Sequence, residues 1–296
     1  MSDTDTDPYE DLPDMDDDDF FDQFEEEEEE ESDEPGHMGF LEHLEDLRWT
    51  LFKSILAFFI ACVLIGVFLA QFSSILRWPY EFAVSGREIE MEGLINTSIL
   101  GVFSVIFYLL FGGGLSLSLP FILYFVGQFV APGLNEKELR LLRPACMAAL
   151  LLFLIGISFS FFVLVPAALR ASIIFNEILG FEPMWTAASY YGLMVWMVLG
   201  VGIAFQFPLV LLILVFVGIL SHAQLINFRK YSIVLFLCIG AIVTPTTDPI
   251  TFILLAGPMS ILYEMAIVGA RKIERKRLEA EDEDEDEDED DDDEED

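Results

Sequence analysis

An all-α integral membrane protein with six transmembrane helices is the fold class that this sequence predicts, and three observations predict it. Hydrophobic residues make up 54% of the 296-residue chain, and its mean hydropathy is positive. Segments long and apolar enough to cross a bilayer recur along it. The acids behind the formal net charge of −36 are gathered at the two ends. Residues 1–36 hold twenty Asp and Glu with no Lys or Arg, and residues 279–296 hold seventeen more, which leaves 14 acids against 15 bases over 37–278. Three regions follow: an acidic tail over 1–38, a membrane domain over 39–272, and a tail over 273–296 that is first basic and then acidic.

Runs such as Glu25 to Glu31 and Asp290 to Asp293 repel themselves and bury nothing, so both tails are predicted to be disordered and cytoplasmic. They read either as solvated tails or as acidic arms for a basic partner. Dense carboxylates stay hydrated, and their repulsion is screened at high ionic strength, so the composition predicts a salt-loving, archaeal host. No cleavable secretory signal is expected, because a positive leading region is absent and the first apolar segment begins after residue 50. Cys62, Cys146 and Cys238 all sit in apolar stretches and read as packed thiols. With His37, His43 and His222 scattered, no metal site is expected.

A spanning helix needs about 20 mostly apolar residues to cross a core of roughly 30 Å. Leu51 to Phe72 is the first, with Lys53 near one end where its stem can snorkel. Ile99 to Val130 is the second; Gly112-Gly113-Gly114 and Pro120 interrupt it and predict a bend or tilt. Ala145 to Ala168 and Ala188 to Leu220 follow, each without Asp, Glu, Lys or Arg. Tyr231 to Val243 offers only 13 apolar residues, about 20 Å of helix, which should thin the bilayer locally or draw its flanks inward. Ile250 to Ala270 is the sixth, with Pro258 and Glu264 inside it. Helix five is therefore expected to be short, and the proline-bracketed turn Thr244 to Pro249 joins it to the sixth. A re-entrant pair is the alternative, and the length of the sixth segment weighs against it.

Orientation follows from the bases. Twelve would share one side (Arg48, Lys53, Lys137, Arg140, Arg143, Arg229, Lys230, Arg271, Lys272, Arg275, Lys276 and Arg277), against Arg77, Arg87 and Arg170 on the other. This asymmetry predicts both termini in the cytoplasm and an even number of spans.

Before the first span stands Phe40-Leu41-Glu42-His43-Leu44-Glu45-Asp46-Leu47-Arg48. Its apolar positions recur at helical spacing, so it should lie on the cytoplasmic interface with acids Glu42, Glu45 and Asp46 toward water or a partner. Between spans two and three runs Ala131-Pro132 to Arg143-Pro144, whose interior holds Glu138 beside Lys137, Arg140 and Arg143. Alone, it reads as an ordinary positive-inside loop. Gly202 to Pro208 places Gln206 at mid-span, and Asp248 lies in the turn before span six. Glu264 reads as a buried charge or as one that snorkels toward Arg271 and Lys272, with snorkelling favoured.

Taken in order, these segments resemble the TatC family, the multi-spanning subunit of the twin-arginine (Tat) protein translocase. Glu42-His43-Leu44 through Asp46-Leu47-Arg48 resembles that family's EHLxELR signature, and the Ala131-Pro132 to Glu138, Arg140 and Pro144 stretch its first cytoplasmic loop. Gly202 to Pro208 resembles its fourth-helix motif, and Thr244-Pro245, Asp248, Pro258 and Tyr263-Glu264 the close of its core. The likeness covers residues 40–270. It implies a concave helical bundle with short helices five and six in the cytoplasmic membrane, a receptor and not an enzyme, that binds twin-arginine signal peptides. Sec-independent export of folded proteins, TatA-type and TatB-type single-span partners, an oligomeric state and use of the transmembrane ion gradient are implied with it.

The resemblance assigns signal recognition to Asp46 and Glu138, with Glu42, Glu45, Arg48 and Arg140 around them. Guanidinium forks pair with carboxylates through two parallel hydrogen bonds that lysine cannot reproduce. Two departures matter. Asp46 stands where the signature has glutamate, and Glu45 beside it is a rival for the same role. Gln206 stands where the family's fourth helix usually has glutamate, so it cannot carry charge; interhelical glue and partner contact both remain open for it. Asp248 and Glu264 are further candidates for intramembrane polar or partner contacts.

A secondary transporter or channel for a small solute is the rival reading, but such proteins usually carry charge at mid-membrane depth, and four spans here have none. An intramembrane enzyme would need a buried nucleophile with a base or a metal cluster, and no such set is visible. No nucleotide-binding loop appears, so no ATP site or other cofactor is expected, and no nucleic-acid partner either.

Overall fold

The computed structural model describes the backbone of residues 40–85, 93–131, 136–244 and 248–294, and side chains there outside 40–42, 130, 136–143 and 276–294. The acidic tail over 1–38, the middle of the loop between spans two and three, and residues 245–247 of the turn before span six lie outside the described residues. Among the described residues the architecture is helical throughout, with one isolated bridge between Ile95 and Thr186. Six stretches are long and apolar enough to cross a membrane: His43–Val67, Gly101–Phe129, Pro144–Leu179, Ala187–Phe216, His222–Val243 and Pro249–Arg275.

Helix α1 (Phe40–Val67) carries span one. The segment from residue 40 to Arg48, expected to form its own interfacial helix, is instead the opening of this one. No glycine or proline separates it from the apolar run, so nothing ends the helix between them. Two short helices follow, α2 (Leu69–Leu76) and α3 (Trp78–Val84), the latter started by Pro79. Tyrosines at the start of span four hold α2: Tyr190 Oη donates to the Leu76 carbonyl at 2.6 Å, and Tyr191 Oη lies 2.7 Å from Ser73 Oγ.

Helix α4 (Gly101–Val130) is span two and runs unbroken through both its glycine triplet and Pro120. The triplet serves packing. A Cβ at Gly112 would meet Val195 of span four, at Gly113 the ring of Phe72, and at Gly114 the sulfur of Cys62, each closer than 3 Å. Small residues here let three neighbours approach the α4 backbone.

Span three begins in α5 (Glu136–Phe159), passes through a π-helical turn at Ser160–Leu164, and ends in α6 (Val165–Leu179). Pro166 brings no N–H for the carbonyl four residues back, and the wider turn before it absorbs that loss. Gly180, at φ 75°, terminates α6 in the left-handed conformation. Span four is likewise interrupted, α7 (Ala187–Ala204) giving way to α8 (Phe207–Phe216) at Phe205-Gln206, just ahead of Pro208.

The fifth span departs from the expectation of a short helix. Helix α9 (His222–Val243) has 22 residues, about 33 Å, because a capping box at Ser221 and Gln224 starts it nine residues before Tyr231. Span six, Pro249–Arg275, has 27 residues and is not short either, and its helix α10 continues from Pro249 to Glu294, 46 residues in all. Its helical backbone covers most of the tail over 273–296 that the sequence predicts to be disordered. The stretch from Arg271 to Ala280 is rich in strong helix formers, and no glycine or proline follows Gly269 to stop it.

Spans three, four and six supply the centre of the core. Phe153, Leu164, Ile173, Met197, Val201 and Met259 are fully buried there. α1 packs on α4, α4 on α7, α5 on α7, and α10 on both α8 and α9. The outer face of α1 is mostly exposed, as at Phe59, Ile60 and Val63, which suits a helix turned toward lipid.

Candidate functional site

The start of α1 and the end of α4 meet at one end of the bundle. There the His43 ring stacks on Phe129, centroids 4.5 Å apart and planes inclined by 22°. Seven residues past Phe129 the chain begins α5, so the opening turns of α5 belong to the same end. Glu138 and Arg140 are the third and fifth residues of α5; their side chains lie outside the description, as does that of Glu42. Thus the backbone gathers at one end both segments that the family resemblance assigns to recognition.

The two rival acids on α1 differ in their surroundings. Glu45 is exposed and accepts a hydrogen bond from Arg48 Nη2 at 3.0 Å, one helical turn on. The Arg48 guanidinium also lies 5.9 Å from the Trp49 ring. Asp46 is half-buried, and among the described residues it forms no ion pair. It follows His43 by three residues and so shares the helix face that His43 turns toward Phe129. In consequence Glu45 has a local partner, while Asp46 has no ion-pair partner among the described residues.

The remaining candidates lie elsewhere. Gln206 stands at the α7–α8 break and donates through Nε2 to the Ala149 carbonyl of α5 at 3.0 Å, a hydrogen bond between spans three and four. Asp248 is at the opposite end of the bundle, buried just before Pro249. One of its oxygens accepts from the Thr251 N–H at 2.8 Å and from the Thr251 hydroxyl, which caps the start of α10. Its other oxygen has no hydrogen-bond partner among the described residues.

Glu264 does not reach toward Arg271 or Lys272. It accepts from Arg229 Nη2 of α9 at 2.6 Å, both side chains being about half exposed. Beside them Tyr263 Oη donates to the Leu225 carbonyl at 2.8 Å, so two polar contacts tie span five to span six. Sequence reasoning assigned Arg229 only to the basic side. Its partnership was out of reach because α9 was expected to begin after it.

Comparison with known proteins supports the six-span helical fold. The family model for the Sec-independent protein translocase protein (TatC) matches residues 42–258. The Sec-independent protein translocase protein TatC of Aquifex aeolicus is 33% identical over 237 residues, covering 79% of this chain and 95% of its own. An uncharacterized tatC-like protein of Gracilaria tenuistipitata var. liui is 34% identical over 225 residues, 76% of this chain and 90% of its own. A crystal structure described as the twin arginine translocase receptor TatC superposes with a TM-score of 0.64 at 32% identity, covering 78% of this chain and 99% of that one. What lies outside these matches is mainly the two charged tails, and across the body the chain belongs to the TatC family, as a multi-pass core subunit of the Sec-independent (Tat) protein translocase in the cytoplasmic membrane.

Proposed function

We propose that this subunit is the receptor for twin-arginine signal peptides, and that Asp46 of α1 and Glu138 of α5 are the carboxylates that receive the two guanidinium groups. The observation that carries the reading is the meeting of α1 and α4 at His43 and Phe129, which brings the opening turns of α1 and α5 to one end of the bundle. Asp46 is preferred over Glu45 because Arg48 already occupies Glu45 at 3.0 Å. A guanidinium arriving at Asp46 displaces no partner among the described residues. Arg48 then restrains Glu45 and keeps a second negative charge from crowding the site, while Arg140 balances the charge around Glu138 near lipid head groups.

In the same reading both termini and this end of the bundle face the cytoplasm, where signal peptides are presented. TatA-type and TatB-type single-span subunits complete an oligomeric translocase that exports folded proteins and draws on the transmembrane ion gradient. The dense acids of both tails support a salt-loving host.

Binding of a fluorescent twin-arginine signal peptide to the detergent-solubilised full chain tests the assignment, with a twin-lysine peptide as control. Charge-assisted hydrogen bonds are worth about 1.5–3 kcal/mol, so Asp46→Asn and Glu138→Gln should each weaken binding roughly 10- to 100-fold. Glu45→Gln should change it by less than about threefold, the scale of an exposed pair. Equal binding of both peptides would sink the receptor reading. A large loss in Glu45→Gln alone would move the site by one residue.

A further inference from the structure

At the other end of the bundle α3, α6 and the start of α10 enclose a pocket of about 400 Å³ that plays no part in the recognition site. Apolar side chains make its wall, among them Phe82, Phe162, Pro166, Ile174 and Ile250, and Arg170 is the single charged residue among the described residues that line it. Phe162, Ile174 and Ile250 are each at least 40% exposed, so the pocket opens on the outside of the bundle. Arg170 spends one donor on the Phe82 carbonyl, at 3.0 Å from Nη2, and its guanidinium lies 4.4 Å from the Phe82 ring. No described carboxylate pairs with it. A guanidinium has five donors, and among the described residues this one spends a single donor on a hydrogen bond.

Depth identifies the occupant. Span three begins at Pro144, and Arg170 lies 26 residues further on, about 39 Å along the helix. The hydrocarbon core is roughly 30 Å thick, and roughly 40–45 Å with its head groups. With Pro144 at one edge of that core, Phe162 and Pro166 fall at the far edge of the acyl chains, whereas Arg170 falls among the far head groups. Among the described lining residues, an apolar wall below and a cation above reproduce the polarity of a lipid. Trp78, which stacks on Phe82 at 5.0 Å and on Phe161 at 5.9 Å, places an interfacial aromatic at the same level.

We infer that this pocket holds one anionic phospholipid of the leaflet opposite the recognition site, its phosphate on Arg170 and an acyl chain against Phe162, Pro166 and Ile250. The bound lipid bridges α3, α6 and α10, three elements from distant parts of the chain. This inference requires only that the chain span the membrane and does not rest on signal-peptide binding.

Native mass spectrometry of the purified full chain, equilibrated with equal amounts of phosphatidylglycerol and phosphatidylcholine, tests it. The wild type should retain one phosphatidylglycerol with roughly fivefold preference, the scale of one base against an anionic surface. Arg170→Gln should abolish that preference and Arg170→Lys should keep it. Ala167→Trp, which fills the pocket without touching the charge, should lower retention of both lipids. Millimolar inorganic phosphate should displace nothing. Monodisperse elution and an unchanged thermal midpoint in detergent, measured alongside, should hold for all three variants and so report that they are folded. An Arg170→Gln protein with wild-type preference, an Ala167→Trp protein with wild-type occupancy, or displacement by free phosphate would overturn the assignment.

Discussion

Gln206 shows how one side chain sets what its position can do. Its Nε2 donates to a carbonyl that is also part of the α5 ladder, so the contact needs a donor at 206 and no charge. Gln206→Leu removes the donor, and hydrogen bonds between membrane helices average about 0.6 kcal/mol, so a small fall in thermal midpoint in detergent is expected. Gln206→Glu is more informative. An ionised carboxylate would face the Ala149 oxygen acceptor to acceptor, whereas a protonated one can donate as glutamine does. Thermal unfolding in detergent at neutral pH checks this: Gln206→Glu should be less stable than wild type, because a carboxylate keeps this hydrogen bond only in its neutral form. At this scale the sequence was legible in residue type and silent on partners. It marked Gln206, Asp248 and Glu264 as polar groups in apolar surroundings, but Ala149, Thr251 and Arg229 became their partners only through packing of segments distant in sequence or through a cap.

The helices carry a different lesson, clearest in the glycines of α4. In water a run of three glycines weakens a helix, and the sequence was read as an interruption on that basis. In a bilayer no water competes for the backbone, so the helix persists and the missing side chains become room for neighbours. Gly112→Ala would press its Cβ to within 2.0 Å of Val195 Cγ1, and overpacking of this kind costs about 1–3 kcal/mol. Gly257→Ala in α10 meets nothing within 4 Å and should be neutral or stabilising by up to about 1 kcal/mol. Denaturant titration in mixed micelles would separate the two; equal effects would mean that helix propensity and not close approach governs α4. The start of α9 was written in the sequence too, as Ser221 followed three residues later by Gln224. Arg229 and Lys230 hid it by interrupting the apolar run that marks a span. Pro166 and Pro208 were equally visible, but whether each gives a π-turn or a break depends on neighbours that the sequence does not place.

For the molecule as a whole, the number of spans and their order were legible because hydropathy over about 20 residues is a physical requirement of the bilayer. Which side each end occupies rests on charge alone: twelve bases against three. An even number of spans puts the first and last helices' outer ends on one side, and that side also holds the recognition end at His43 and Phe129. Cysteine labelling of intact cells decides the orientation. The three native cysteines are first replaced by serine or alanine; then Ser2→Cys and Ala280→Cys should be protected from a membrane-impermeant maleimide until the cells are opened. Asn96→Cys and Glu182→Cys, in the two segments joined by the Ile95–Thr186 bridge, should react from outside. The reverse pattern would place Asp46 and Glu138 on the face away from newly made proteins. Signal binding at those carboxylates would then be untenable, however well the isolated chain bound peptide in detergent, since only a cytoplasmic site meets its substrate before transport.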